Sequence, residues 1–168
     1  FLNPGVDVAS QLLANRPDLS VEPLRGNVDT RVQKLLAPGL QAEHERRVAA
    51  EEGDTDEEFD QRQDDWFAGL TQLEQAALER RPETEYDAIV LAEAGLRRSN
   101  LYRHSAFETE RLPRSEFVPA PGQGALAVTT ATSEARETVT DAIDHPPTRV
   151  TTTVERTLLA ELGGGCVA

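Results

Sequence analysis

Leu19-Ser-Val-Glu-Pro-Leu-Arg-Gly-Asn-Val-Asp-Thr-Arg-Val-Gln-Lys-Leu-Leu36 contains a change of hydrophobic period. From Leu19 to Leu24 apolar and polar residues alternate, which predicts a short strand. Arg25, Gly26 and Asn27 then turn the chain. From Asp29 to Leu36 the period is helical, with Val32, Leu35 and Leu36 on the apolar side. A strand feeding a turn and a helix start brings unpaired amide N–H groups to one spot, which suits an anion.

The same alternation recurs outward. Asp87-Ala-Ile-Val-Leu-Ala92 is a short apolar run and reads as a buried, parallel strand. Glu93-Ala-Gly95 is its outgoing turn, followed by a short helix from Leu96 to Leu101. Ala125-Leu-Ala-Val-Thr-Thr130 reads as another strand. Ser133 to Ile143 is expected to be a helix capped by Ser133 and broken by His145-Pro-Pro147. Residues 10–15 look helical. Strands alternating with helices predict an α/β fold with a parallel or mixed sheet, with ligand loops at the strands' carboxyl ends.

Between these blocks the chain changes character. Residues 37–64 are polar, acidic and aperiodic, so a flexible or salt-dependent insertion is expected. Trp66, Leu70, Leu73 and Ala77 recur at helical spacing and predict one amphipathic helix over 65–80, with the tryptophan packing rather than binding a ligand. The net charge is −13, and residues 41–85 carry −10 of it. Lys34 is the only lysine beside 16 arginines. This balance points to a salt-loving organism, the alternative being an acidic linker in a GC-rich genome. No basic stripe with interleaved aromatics exists, which disfavours nucleic acid. No apolar run is long enough for a membrane span. His44, His104 and His145 lack metal-ligand spacing. A lone cysteine excludes an internal disulfide, which fits a reducing cytoplasm.

That cysteine, Cys166, follows Gly163, Gly164 and Gly165. The glycines close a segment in which Val150, Val154, Leu158 and Leu162 recur at one-turn spacing, predicting a helix with one buried stripe and a glycine stop. A thiol on a glycine loop is either a small spacer or a site of covalent chemistry.

Four blocks stand in a fixed order: Leu24-Arg-Gly-Asn-Val-Asp-Thr-Arg31, Tyr86-Asp-Ala-Ile-Val-Leu-Ala-Glu-Ala-Gly-Leu-Arg-Arg98, Pro119-Ala-Pro-Gly-Gln-Gly-Ala-Leu-Ala-Val128, and Glu155-Arg156 with Gly-Gly-Cys166. In this the chain resembles the hydroxymethylbilane synthases, or porphobilinogen deaminases, over residues 10–35 and 86–168. The resemblance implies a cytoplasmic, monomeric transferase of tetrapyrrole biosynthesis that deaminates porphobilinogen and joins four units head to tail. It implies dipyrromethane on Cys166, with Arg25, Arg31 and Gly95 at the cofactor and Arg98 and Arg25 on substrate carboxylates. A thiolate is a good nucleophile toward the methylene left when porphobilinogen loses ammonia. Arginine suits the acetate and propionate side chains because its planar fork stays charged and donates two parallel hydrogen bonds. Spacing alone leaves surface ion pairs as the alternative for these arginines. Gln123 is expected to serve a hinge first and a ligand second.

The implied fold resembles periplasmic binding proteins, with a mixed sheet, plus the start of a small α+β domain. Residues 1–118 would be the family's second domain with an acidic insertion at about 37–85. Residues 119–145 would cross back toward a first domain, and 146–168 would begin the third. The family's Lys-Asp motif, which bears its central catalytic carboxylate, has no counterpart here, and Asp29 and Asp87 match other positions. Val6-Asp7-Val8-Ala9 replaces a Thr-Ser-Ser segment with paired arginines. There is no methionine. The expectation is therefore a fragment from a halophilic archaeon, inactive alone. The alternatives are a non-catalytic anion-binding module of the same fold or a decayed gene product.

Overall fold

A computed structural model describes residues 8–81 and 83–163. Seven helices occur among them: α1 Val8–Asn15, α2 Val28–Glu52, α3 Gln63–Gly69, α4 Gln72–Leu78, α5 Glu93–Arg98, α6 Ser133–Ile143 and α7 Pro146–Glu161. Two compact units divide the described chain. One is Glu22–Arg111; the other combines residues 8–21 with 112–163.

No strand occurs among the described residues, so the expected α/β fold with a mixed sheet is corrected to an all-helical arrangement. The small α+β portion likewise shows only helix. The segments at 19–24, 87–92 and 125–130 lie outside helices but carry no ladder. A strand exists only through hydrogen bonds to a neighbour, and these segments spend their side chains elsewhere. Ile89 and Leu91 pack against a helical core while Val90 between them is exposed. The two-residue alternation therefore survives as burial, without a sheet. Leu126, in the third segment, is 96% exposed.

The core of the first unit is small. Val32, Leu36, Ala77, Leu96 and Leu101 are buried together, with Val28, Leu40, Leu73, Ile89, Leu91, Tyr102 and Phe107 packed around them. Helix α2 supplies the centre. Asn27 caps it, its Oδ1 accepting from the Thr30 N–H at 2.8 Å, and Asp29 sits favourably in the first turn.

The helix then runs far beyond Leu36, through Pro38 and Gly39 to Glu52, where Gly53 closes it in the left-handed region (φ 80°). The expected flexible insertion is thus half helix. Pro38 removes one intrahelical donor, and tertiary contacts outweigh that loss. Gln41 donates to the carbonyls of Leu78 (3.0 Å) and Arg80, bracing α2 against α4. Further along, Arg47 is buried. Its Nε donates to Glu43 at 2.8 Å, its Nη1 to the Gln61 carbonyl at 3.2 Å, and its guanidinium lies between the Phe59 and Trp66 rings.

The single helix expected over 65–80 is two. Thr71 starts α4 with a reciprocal cap: its N–H donates to Glu74 Oε2 at 2.8 Å and its Oγ1 accepts the Glu74 N–H at 3.3 Å. That cap offers the backbone more than continuing α3 would. Trp66 packs on the Arg47 guanidinium and edge-on to His44. Helix α5 begins at Glu93, within the expected turn, and ends at Arg98, short of Leu101.

In the second unit Thr132, one residue before the expected Ser133, caps α6 by accepting from the Ala135 N–H at 3.2 Å. Asp144 and His145 break the chain, Pro146 opens α7, and Gly163 adopts φ 69° beyond its end. The expected burial of the α7 stripe is corrected: Val150, Val154, Leu158 and Leu162 are all exposed, Leu162 by 75%. Apolar spacing selects which side chains share a face but does not supply the surface that covers it.

Candidate functional site

The turn before α2 is built tightly. Gly26 has φ 129°, and a Cβ there would lie 2.6 Å from Thr30 Cγ2 and 2.8 Å from Thr30 Cβ. Only glycine fits such a backbone without strain. Its carbonyl accepts from Arg31 Nε at 2.9 Å. The Arg25 carbonyl accepts from Lys34 Nζ at 3.0 Å. Both cations on α2 therefore reach back and hold the turn that carries Arg25. The anion-binding helix start expected here is partly spent, because the Thr30 amide already serves the Asn27 cap.

Arg25 is exposed, and neither Arg25 nor Arg31 makes an ion pair among the described residues. The surface-ion-pair alternative for these two arginines thus finds no carboxylate there. Arg98 ends α5, exposed and also without an ion pair among the described residues. Its neighbour Arg97 is engaged: Nε donates to Glu93 at 2.7 Å and the guanidinium lies 4.0 Å from the centre of the Tyr102 ring. Arg97 and Arg111 together hold the Glu93 carboxyl below the usual range, the Arg97 hydrogen bond being the main cause.

Gly95 is buried, and a Cβ there would meet Val28 Cγ2 at 3.0 Å. Its smallness lets α5 close on the first residue of α2, which gives a packing reason for glycine beside the expected cofactor approach. That contact brings α5 to the helix start that Arg25 and Arg31 flank. Gln123 folds onto its own loop, its Oε1 accepting from the Ala120 N–H at 3.1 Å, while the Gly122 N–H donates to Glu155 at 2.7 Å. These bonds favour the architectural role. Cys166, with Gly164 and Gly165, lies outside the described residues.

A cavity of about 550 Å³ opens beside Arg25, lined also by Glu22, Pro23, Lys34, Arg81, Glu83, Thr84 and Tyr86, so that three cations face two carboxylates. A second, of about 460 Å³, shares Lys34 and Arg81 with it and adds Gln33 and Arg80. Arg98 and Gly95 line neither. The sequence reading missed Lys34, Arg81 and Tyr86. A signal was present: Lys34 is the sole lysine, and Arg80-Arg81 are the only adjacent cations in the returning half of the acidic segment.

The description "porphobilinogen deaminase, dipyromethane cofactor binding domain" fits residues 8–50 and 70–139. The chain belongs to the porphobilinogen deaminase family. It is 43% identical, over 95% of its length, to a probable porphobilinogen deaminase of Halobacterium salinarum, covering 50% of that protein. It is 31% identical to a probable porphobilinogen deaminase of Methanococcoides burtonii and 36% identical to a porphobilinogen deaminase of Nitratidesulfovibrio vulgaris, each over 94% of this chain and 35% of the relative. The chain thus spans about half the length of the first relative and about a third of the others. Residues 51–69, between the two matched stretches, fall within the acidic segment that the Arg47 contacts organise, and 140–168, with Cys166, lie beyond the match. No solved structure matches the chain. No described helix is long and apolar enough to cross a membrane.

The donor set suits a cofactor that bears carboxylates. Arg25, Arg31 and Arg98 make no ion pair among the described residues. Planar guanidinium forks match carboxylate geometry.

Proposed function

We propose that this chain forms part of a hydroxymethylbilane synthase, which deaminates porphobilinogen and joins four units head to tail in tetrapyrrole biosynthesis. The observation that carries this is the braced Arg25–Arg31 turn. Two guanidiniums without ion-pair partners among the described residues flank one rigid turn, in a chain of the family whose domain is described by its dipyromethane cofactor. Arg25 and Arg31, with Gly95 beside the same helix start, hold the cofactor. Arg98 and Arg25 hold substrate carboxylates, and Cys166 carries the cofactor through a thioether. When bound, dipyrromethane supplies a pyrrole terminus that keeps the growing chain attached to the protein.

The contribution of the described residues is electrostatic and positional. Gly26 sets a backbone that no other residue adopts cheaply, and Arg31 and Lys34 pin it from α2. The backbone that carries Arg25 is thereby fixed before ligand arrives, which lowers the ordering cost of binding. Each added pyrrole brings an acetate and a propionate, so fixed cations gain importance as the product lengthens. The proposed domain limits are residues 1–118, 119–145 and 146–168, and the protein acts as a cytoplasmic monomer on a small molecule, without nucleic acid.

The test is intact-protein mass spectrometry after exposure to porphobilinogen. The expected outcome is a mass gain of two pyrrole units on the full-length protein that contains this chain and none on its Cys166→Ser variant. An active protein with an unmodified Cys166 would refute the assignment.

A further inference from the structure

We infer that the cavity between α2 and the end of α4 binds a compact, doubly charged oxyanion of the inorganic phosphate class, held by Lys34, Arg80 and Arg81. Arg25 does not line this space, and the inference stands apart from the function proposed above.

Residues 41–85 are the acidic part of the chain and carry five basic side chains, all arginines. Arg46, Arg47 and Arg62 each pair with a glutamate. Arg80 and Arg81 make no ion pair among the described residues, although Glu79 and Glu83 stand beside them in sequence. Both instead line one cavity of about 460 Å³ with Lys34, the only lysine, which is likewise unpaired among the described residues. Gln33, Ala76 and Glu79 complete the lining. Three cations and one carboxylate leave a net of two positive charges, which a dianion neutralises. Lys34 and Arg80 are half-buried, so they lose hydration as well as repelling each other. A shared anion offsets both costs.

Each cation is held in place and keeps donors in reserve. Lys34 Nζ spends one N–H on the Arg25 carbonyl at 3.0 Å. Arg80 Nε donates to Gln33 Oε1 at 2.7 Å, and its two terminal nitrogens make no hydrogen bond among the described residues. Arg81 Nη1 lies 3.2 Å from the Arg80 carbonyl and 3.5 Å from that of Leu78, which leaves its Nε and Nη2. Gln33 accepts through Oε1, so its amide N–H groups are further unspent donors. The Leu78 and Arg80 carbonyls are already engaged by Gln41 and Arg81. A lining rich in donors and poor in free acceptors suits a ligand whose oxygens only accept. Gln41 also braces α2 against the end of α4, so the spacing between Lys34 and the two arginines is set before an anion arrives.

Calorimetric titration of the full chain with inorganic phosphate at fixed ionic strength is the experiment, with urea unfolding followed in the same solutions. Saturable binding is expected, with a dissociation constant on the order of 1 mM, and the urea midpoint should rise along the same curve. Acetate, with one charge, should bind about fivefold more weakly. Arg81→Gln should weaken phosphate about fivefold, with the far-ultraviolet helical signal unchanged, while Arg136→Gln on α6 should not. Glu79→Gln should tighten phosphate about threefold, because it removes the one negative charge from the lining. Loss of structure would not improve binding, and the Glu79 side chain makes no hydrogen bond among the described residues, so this variant decides if Arg81→Gln fails to fold. Phosphate also stabilises proteins by exclusion from their surface, but that effect does not saturate and does not depend on Arg81. Absent saturation, or affinity unchanged in either Arg81→Gln or Glu79→Gln, overturns the site. Weaker binding in the first with tighter binding in the second upholds it.

Discussion

The guanidinium of Arg47 lies 4.4 Å from the centre of the Phe59 ring, twelve residues on in the acidic segment. It lies 5.2 Å from the Trp66 ring as well, so one buried cation is held between two aromatic faces. Glu43 and the Gln61 carbonyl take its N–H groups. This contact is what folds α3 back onto the end of α2. Arg47→Ala should therefore destabilise the protein by about 2–3 kcal/mol, from the lost charge-assisted bonds and ring contacts. Arg47→Lys should recover less than half of that, because an ammonium cannot present a planar fork. Urea unfolding followed by Trp66 fluorescence measures both, and equal stability of Arg47→Ala and the parent protein would remove the clamp from the account.

The same cluster sets an acid limit. Burial pushes the Glu43 carboxyl up, but the hydrogen bonds from Arg46 and Arg47 outweigh it and hold the group below its ordinary value of 4.5. A depressed folded-state value means that the contribution is complete above the ordinary value and is lost as pH falls through the folded one. Stability measured from pH 6 downward should decline below about 4.5 in the parent, and Glu43→Gln should flatten that limb while lowering stability at neutral pH. Asp18, held at about 2 by its hydrogen bond to Arg16, is exposed. Asp18→Asn should change the limb little, since solvent screens that pair.

Gly26→Ala tests the turn. At Gly26 the backbone has φ 129°, and an added Cβ would strike Thr30. The expected loss is about 2 kcal/mol by chemical denaturation, the scale of one residue held in a disfavoured backbone region. Gly53→Ala, at φ 80° with nothing within 4 Å, should cost less. A smaller loss at Gly26 than at Gly53 would show that the turn relaxes freely.

Gln11 acts in the second unit as a strand would. Its Nε2 donates to the Val118 carbonyl at 2.9 Å and its Oε1 accepts the Val118 N–H at 2.7 Å, across 107 positions of chain. Gln11→Ala removes both bonds at once and should cost about 1–2 kcal/mol. Amide hydrogen exchange at Val118 should accelerate in the variant; unchanged protection there would mean that something other than Gln11 shields the amide.

Much of the local structure was legible. The Asn27 turn, the helix after it, the break at His145-Pro-Pro147 and the Gly163 stop all follow from caps, prolines and glycines, whose effects reach only a turn or two. Errors came where a remote partner decides. The helix expected to end at Leu36 runs on, because Gln41 and Arg47 find acceptors 37 to 39 and 14 residues away. At the candidate site Arg25 and Arg31 stand out through the family block Leu24–Arg31 that contains them, since spacing alone left them as surface ion pairs. Arg81 does not, because only the folding back of α4 brings it to Lys34.

The amino-acid sequence by itself determined the family, the glycine turn with its flanking arginines, and the positions where helices must start or stop. Each of these depends on residue identity within a few bonds. The tertiary structure alone decided that the apolar runs at 87–92 and 125–130 form no ladder, that the acidic segment is clamped by Arg47, and that Arg25, Lys34 and Arg81 share a cavity. Pairing, burial and the meeting of like charges depend on which surfaces come together, and periodicity along the chain records only which surfaces are available.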